Sequence, residues 1–515
     1  MEVLMSRLSK DAFLSGTRCL RLGDIVYLPQ VQVPFERLRP HLPRILGDDY
    51  AHYRMSHGGR EPKWVRRLTG DLKAYFRSAY VRSDGFEPFA LMPHRPFLNI
   101  GYGIEEDGLV HRTVNAFQLS RLQFVRQLGF LHDPVIRDSG FAEAGATPFA
   151  HTRFRHVLDV MAVATLIAHN NGLSWHARNM LRIAALSHDA LTPAGGDTVK
   201  LIDPPAFDED KHYPELFSRE GWPALKERYR LSEKKLHEVI LGKGVLGRFL
   251  DLADKIAYVA QDASAYFMEF KPPEYASQSG HSDEVWLSEG YAAVEHLLGA
   301  KSSVCALWDA VEVCGGDVVV NDPDRLADFL RLRALLFENL YYHPAARFTE
   351  HVVARIVIGH LYRTGVLTRD ALLQMIDREL EVRIEAFTGI PIETTRSGSY
   401  PSVETFSTRE QAERREFGIL SESGDAVTLI EEFHGGTNAG LHLLVRDGTR
   451  VKSFREARRG EAEAIEEIIT STEPFRLYSF SAGNPAFTPE FRRLLAEYQE
   501  SRRRACRESA LRVRE

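Results

Sequence analysis

Arg153-Phe154-Arg155-His156, then Ser187-His188-Asp189, then Leu252-Ala253-Asp254-Lys255: the reading of the whole chain turns on these pieces of the stretch from His156 to Asp254. One histidine stands alone, a second is followed directly by an aspartate, and another aspartate comes far downstream. Imidazoles and carboxylates hold a divalent cation only where their side chains converge. The sequence around each piece has helical spacing, so convergence requires the helices themselves to meet. Val157, Val160, Met161, Ala164 and Ile167 form the buried stripe of a helix over 152–169, stopped by Gly172. A further helix covers 175–189, with Leu181, Ala184, Ala185 and Ser187 on its packed side, and another covers 247–267. His188 and Asp189 are neighbours, so both reach one ion only at a helix end or kink, and Pro193 shortly after is consistent with that. Asp254, Tyr258 and Asp262 recur at four-residue intervals, hence on one face. Two carboxylates and a phenol on an otherwise apolar helix are costly to bury without a task. A solvent-facing polar stripe is the plain alternative.

A chain of 515 residues sets two or three domains as the expectation. With 44% hydrophobic and 26% charged residues and a net charge of −6, the composition is that of a globular protein, and neither nucleic acid nor a membrane is indicated as a partner. The basic run from Arg502 to Arg514 reads as a solvated helix end more readily than as a phosphate-binding arm. Cys19, Cys305, Cys314 and Cys506 show no CxxC spacing, which favours a reducing compartment and argues against thiolate-bound zinc. There is no apolar run of about 18 residues, the length a membrane span needs. Met1 to Asp11 lacks the apolar core of a secretory signal, so a cytoplasmic location is expected.

The fold class is mainly α with a small α+β C-terminal domain, divided as 1–112, 113–390 and 391–515. Prolines and glycines punctuate the first region, where Phe97 to Ile100 is a candidate strand. The second opens with a predicted helix over 117–128, stopped at Gly129. Ala190 to Pro223 reads as a long, proline-broken loop, and loops of that length inside a helical domain are often functional. Helices are expected over 232–241, 322–342, 346–364 and 368–387. In the third region, 426–430 and 441–445 read as strands separated by His434-Gly435-Gly436-Thr437-Asn438, Asp447-Gly448 as a tight turn, 461–469 as a helix and 475–480 as a strand.

The order H…HD…D is similar to that of the HD-domain phosphohydrolases, and the flanks narrow the resemblance. Arg121 to Gly129, Gly145-Ala146-Thr147 and His151 to His156 resemble the approach to the first histidine in the deoxynucleoside triphosphate triphosphohydrolases, the group of the SAM- and HD-domain dNTPase and the bacterial dGTPases. Asp254-Lys255-Ile256-Ala257-Tyr258-Val259-Ala260-Gln261-Asp262 resembles their D-K-x-x-Y-x-x-x-D helix, and Arg333, Tyr341 and His343 keep the spacing of a later R-x₇-Y-x-H helix. The resemblance covers roughly residues 113 to 390.

It implies an HD-domain helical core in which His156, His188, Asp189 and Asp254 hold a divalent metal ion. Two imidazoles with two carboxylates suit Mn, Mg, Fe, Co, Ni or Zn. It further implies that Arg153, Lys255 and Arg333 contact a triphosphate, as guanidinium forks and an ammonium can. Gln127, Tyr258 and Asp262 would surround the sugar, Leu128 and Tyr341 would crowd its 2′ position, and His343 would line the substrate site. The implied reaction is attack of a water-derived nucleophile on the α-phosphorus, releasing a deoxynucleoside and inorganic triphosphate, in a protein that forms homo-oligomers.

The chain departs from the family after His188-Asp189. Where the family continues H-D-x-G-H-G-P-F-S-H, Thr192 and Asp197 take the places of the two later histidines. The proton for the leaving group then falls to Asp197, or to His212 from the same loop, with His237 from the next helix a further candidate. The family's D-P-x-H-G segment, linked to nucleotide activation, is missing as well. Besides a dNTP hydrolase, the residues leave open a phosphohydrolase of another nucleotide, such as a nucleoside monophosphate, and a non-catalytic nucleotide-binding sensor or assembly subunit.

Overall fold

The computed structural model describes residues 20–22, 25–27, 109–132, 152–268, 304–342, 344–389, 401–432, 440–470, 474–485 and 487–512. Over these residues helices predominate, and the strands form three small sheets. The candidate strand over 97–100 and His343 lie outside the described residues.

Leu20–Leu22 (β1) and Ile25–Tyr27 (β2) pair antiparallel. Leu109–Ala116 (α1) leads to the central helices Arg153–Asn170 (α2) and Trp175–Ser187 (α3). α2 is buried on every side, from Val157 through Leu158, Val160 and Met161 to Ala168, as befits a helix at the middle of a core. Ser174 caps α3 by accepting the Ala177 N–H. Trp222–Tyr229 (α4), with proline in its first turn, and Glu233–Ile240 (α5), capped by Ser232, precede the long Gly244–Met268 (α6). α2, α3 and α6 pack against one another, and that packing brings the histidines and aspartates together.

Val311–Cys314 (β3) and Asp317–Val320 (β4) form a hairpin. Pro323–Leu336 (α7) starts at an Asp322 cap and runs into a π-turn over Phe337–Tyr341. Pro344–His351 (α8) continues through another π-turn to Arg363, and Asp377–Thr388 (α9) follows. Ser402–Phe406 (β5), Arg409–Glu422 (α10) and Ala426–Glu432 (β6) come next. Leu444–Asp447 (β7), Arg450–Ser453 (β8) and Arg459–Thr470 (α11) precede Phe475–Ser481 (β9) and the terminal Pro489–Arg512 (α12). β7 joins β4 in parallel, whereas β9 lies between β5 and β6. The basic run from Arg502 ends α12, and Arg502 pairs there with the buried Glu416.

The described residues form two apolar cores. α1, α2, α3, α6 and α7 share one with Leu441, Val445 and α11. The other joins Phe130, Ala194 and Val199 to Val352–Ile358, α9, β6, β9 and α12. Residues beyond 390 therefore contribute to both.

Four sequence expectations are corrected. The helix over 117–128 is a 3₁₀ segment, Leu119–Phe124, entered through Gln118 at a positive φ. Leu119, Leu122, Val125 and Leu128 are buried at three-residue intervals, the period that eclipses side chains on a 3₁₀ helix. The loop from Ala190 to Pro223 is mostly short helical turns, with Ala194, Val199, Phe207, Tyr213 and Leu216 buried. The helix over 368–387 is interrupted where Met375 and Ile376 are extended, giving Arg369–Gln374 and α9. Lastly, the strand at 441–445 begins only at Leu444, because Leu441 and His442 form a turn.

Candidate metal centre

His156 lies in the first turn of α2, His188 caps α3, Asp189 follows it, and Asp254 sits mid-way along α6. Each imidazole Nε2 faces oxygens from both aspartates. His156 Nε2 stands 3.7 Å from Asp189 Oδ2 and 2.9 Å from Asp254 Oδ1. His188 Nε2 stands 3.5 Å from Asp189 Oδ1 and 3.7 Å from Asp254 Oδ1. Donors at about 2.1 Å from one ion lie roughly 3.0–3.4 Å apart, so the spread suits a single cation. His156, His188 and Asp189 form a compact donor group, with Asp254 against it.

The donor chemistry also fits a metal ion. His188 Nδ1 is held by the Ala185 carbonyl at 2.9 Å, which fixes the tautomer and turns Nε2 to the aspartates, and that buried atom has no hydrogen-bond partner among the described residues. Burial opposes charge on His188, but the Asp189 carboxylate, then Asp254, push its pKa up to about 9. Burial would likewise raise Asp189 and Asp254, yet His188 and Arg153 beside the first, and both imidazoles beside the second, hold the two carboxyls well below the usual range. Two ionised carboxylates therefore call for positive charge at this point, which a divalent ion would supply in place of a proton.

Arg153 is buried behind the centre. Its Nη1 donates to Asp189 Oδ2 at 2.9 Å and its Nη2 to Asp197 Oδ2 at 2.5 Å. Asp197 Oδ1 accepts from Lys200 Nζ at 2.9 Å, and Lys200 also meets Glu209 Oε2 at 3.0 Å. The Thr192 hydroxyl donates to the other Glu209 oxygen. Burial would raise Asp197, but Arg153 and Lys200 hold its pKa down to about 2. At neutral pH the group is thus an acceptor. Both ring nitrogens of His212 are engaged outside the donor group, Nδ1 with Glu215 and Nε2 with the Pro205 carbonyl. His237 reaches the Asp210 carbonyl and stacks on Tyr213.

The polar face of α6 links onward. Tyr258 OH accepts from Arg333 Nε, Tyr341 OH donates to Asp262, and the rings of Tyr258 and Tyr341 meet edge to face at 6.4 Å. Lys255 pairs with Asp251 one turn back. Gln127 and Leu128 are buried in the segment before Gly129, with Gln127 Oε1 unpartnered among the described residues. Lys200 and Glu209 carry no motif in the sequence. The three-residue spacing of Asp197 and Lys200 on one turn was the available signal, and such pairs are common on surfaces.

No family model matches the sequence, and neither does any curated protein. Among solved structures the fold is similar to that of a hypothetical protein from Aquifex aeolicus, with a TM-score of 0.53, 16% identity and coverage of 79% of this chain and 98% of that one. It is also similar to that of a phosphohydrolase from Bacteroides thetaiotaomicron, with a TM-score of 0.50, 13% identity and coverage of 76% and 100%. At such identities the likeness is one of fold.

Proposed function

We propose that this chain is a metal-dependent HD-domain phosphohydrolase that cleaves deoxynucleoside triphosphates to deoxynucleoside and inorganic triphosphate. The observation that carries the reading is the convergence of two imidazoles and two ionised carboxylates from three helices, with Arg153 bonded directly to one of the carboxylates. The fold likeness to a phosphohydrolase supports it. His156, His188, Asp189 and Asp254 would hold the ion, which when bound polarises a phosphoryl oxygen and lowers the pKa of a water. Arg153, Lys255 and Arg333 neutralise the phosphates, and the cluster of Tyr258, Asp262 and Tyr341 orients the sugar with Gln127, Leu128 and His343. Among the described residues no helix is long and apolar enough to cross a membrane. A cytoplasmic location and a homo-oligomeric state are further parts of the proposal.

The test is incubation with each dNTP and NTP in the presence of Mn²⁺, Mg²⁺ or Co²⁺, with nucleoside and triphosphate resolved by chromatography. Triphosphate release is expected, and Asp254→Ala should reduce it by more than about a hundredfold, beyond what loss of an outer-shell partner costs. Orthophosphate released from monophosphates would redirect the assignment to another nucleotide. Thr192 and Asp197, standing where the resembling family has histidines, favour a second reading, a nucleotide-binding subunit. Binding without turnover under every metal would leave that reading alone.

A further inference from the structure

Asp197 is held by two cations yet faces water. Its carboxylate takes Arg153 Nη2 on one oxygen at 2.5 Å and Lys200 Nζ on the other at 2.9 Å. The Asp197 side chain is 48% exposed, whereas those of Arg153 and Lys200 are 6% and 28% exposed. Solvent therefore reaches the anion more readily than the cations. Behind them, Arg153 Nη1 holds Asp189 and Lys200 is steadied by Glu209. Among the described residues Arg153 Nε is buried without a partner, while Nη1 meets the buried Asp189 and Nη2 the exposed Asp197, so the Nη2 side of the guanidinium is the one a ligand from solvent can reach by displacing a carboxylate. Carboxylate and phosphate offer a guanidinium and an ammonium the same pair of anionic oxygens.

We propose that Arg153 and Lys200 form a phosphate clamp beside the metal centre, and that Asp197 is its built-in occupant, displaced when a phosphate group of the substrate enters. Lys200 thereby becomes a phosphate-binding residue. The internal carboxylate lowers affinity for single small anions and reserves the clamp for ligands anchored elsewhere in the site. The inference rests on the proposed polyphosphate reading for the identity of its ligand.

The experiment uses the full chain with chelator present and inorganic triphosphate as the calorimetric probe, so turnover plays no part. Asp197→Asn, which removes the competing charge but keeps the shape, should lower the Kd about tenfold, and Lys200→Gln should raise it by a similar factor. A Kd that is unchanged or raised in Asp197→Asn overturns the clamp. If Asp197→Asn does not fold, Lys200→Gln decides alone, and a wild-type Kd there overturns it. A general acid at 197 predicts instead an unaltered Kd with lost turnover. Intact clamp behaviour without nucleotide hydrolysis would refute only the hydrolase reading, and unshifted Kd values in an active enzyme would refute only the clamp.

Discussion

Gly129 shows how tightly the centre's supporting loop is fitted. Its φ is +54°, and a Cβ there would stand 2.4 Å from the Gly195 carbonyl oxygen and 2.7 Å from Thr198 Oγ1. The Gly195 side of that contact is backbone, and it is pinned, since Gly195 N–H donates to Asp377 Oδ1 at 2.8 Å. Gly129→Ala must therefore push the short helix Gly196–Lys200, which carries both Asp197 and Lys200. Adopting left-handed backbone with a side chain and relieving that clash should together cost about 1–3 kcal/mol. A lower urea midpoint at unchanged m-value would show it, together with weaker triphosphate binding. A wild-type midpoint would mean that the loop yields freely. At this scale the convergence of two histidines with two aspartates was legible, because a cation demands particular side chains and few types qualify. Lys200 and Glu209 were not, because ordinary charged residues gain a role only from what the fold sets beside them.

The face of α6 carries a prediction of its own. Tyr258 accepts from Arg333 Nε, while among the described residues Arg333 Nη1 is already buried without a partner, and Arg333 stacks over Phe337 at 4.9 Å. Tyr258→Phe leaves a second donor of the same guanidinium unpaired, which should cost about 1–3 kcal/mol. Circular dichroism on heating would record this as a lower melting temperature with the helical signal preserved. If the melting temperature holds, the phenol is not what fixes Arg333. Helices such as α3, α5 and α7 were legible because pattern and cap agreed, as at Ser174, Ser232 and Asp322. The segment after Ala116 was not, because apolar spacing of three suits both an α-helix and a 3₁₀ turn, and Gln118 gives no warning of its left-handed backbone. In the last third of the chain, the strands at β6 and β9 were legible, but the pairing of β9 with both β5 and β6, and that of β7 with β4, depends on contacts remote in sequence.

Across the whole molecule, a buried polar chain ties the sheet β5–β9–β6 to the short helix Gly196–Lys200. Thr198 donates to Glu350 Oε1 at 3.1 Å, Arg347 bonds Glu350 and Glu431, and Glu431 also accepts from His351 at 3.1 Å and from Tyr478 at 2.7 Å. Burial first, then Arg347 and Arg355, push the His351 pKa down to about 4, although Glu431 pulls the other way. The sign of the pH dependence follows from this. In the unfolded chain the imidazole takes up a proton as pH falls through its ordinary value of about 6.5, while the fold keeps it neutral until about 4. Between those values the unfolded state binds more protons, so stability declines with acidification by up to about 3 kcal/mol from this group. Glu431, held below its ordinary range against its own burial by Arg347 and His351, adds loss below the usual glutamate value, whereas Glu350, raised by burial, offsets part of it. The His351 contribution is isolated by comparison with His351→Gln, which keeps a donor for Glu431 but cannot titrate. Urea midpoints of the two proteins should converge as pH falls from 6.5 towards 4, with the wild type losing more. Parallel profiles across that window would show that His351 is protonated in the fold, and the polar chain would then carry one more positive charge than its neutral form.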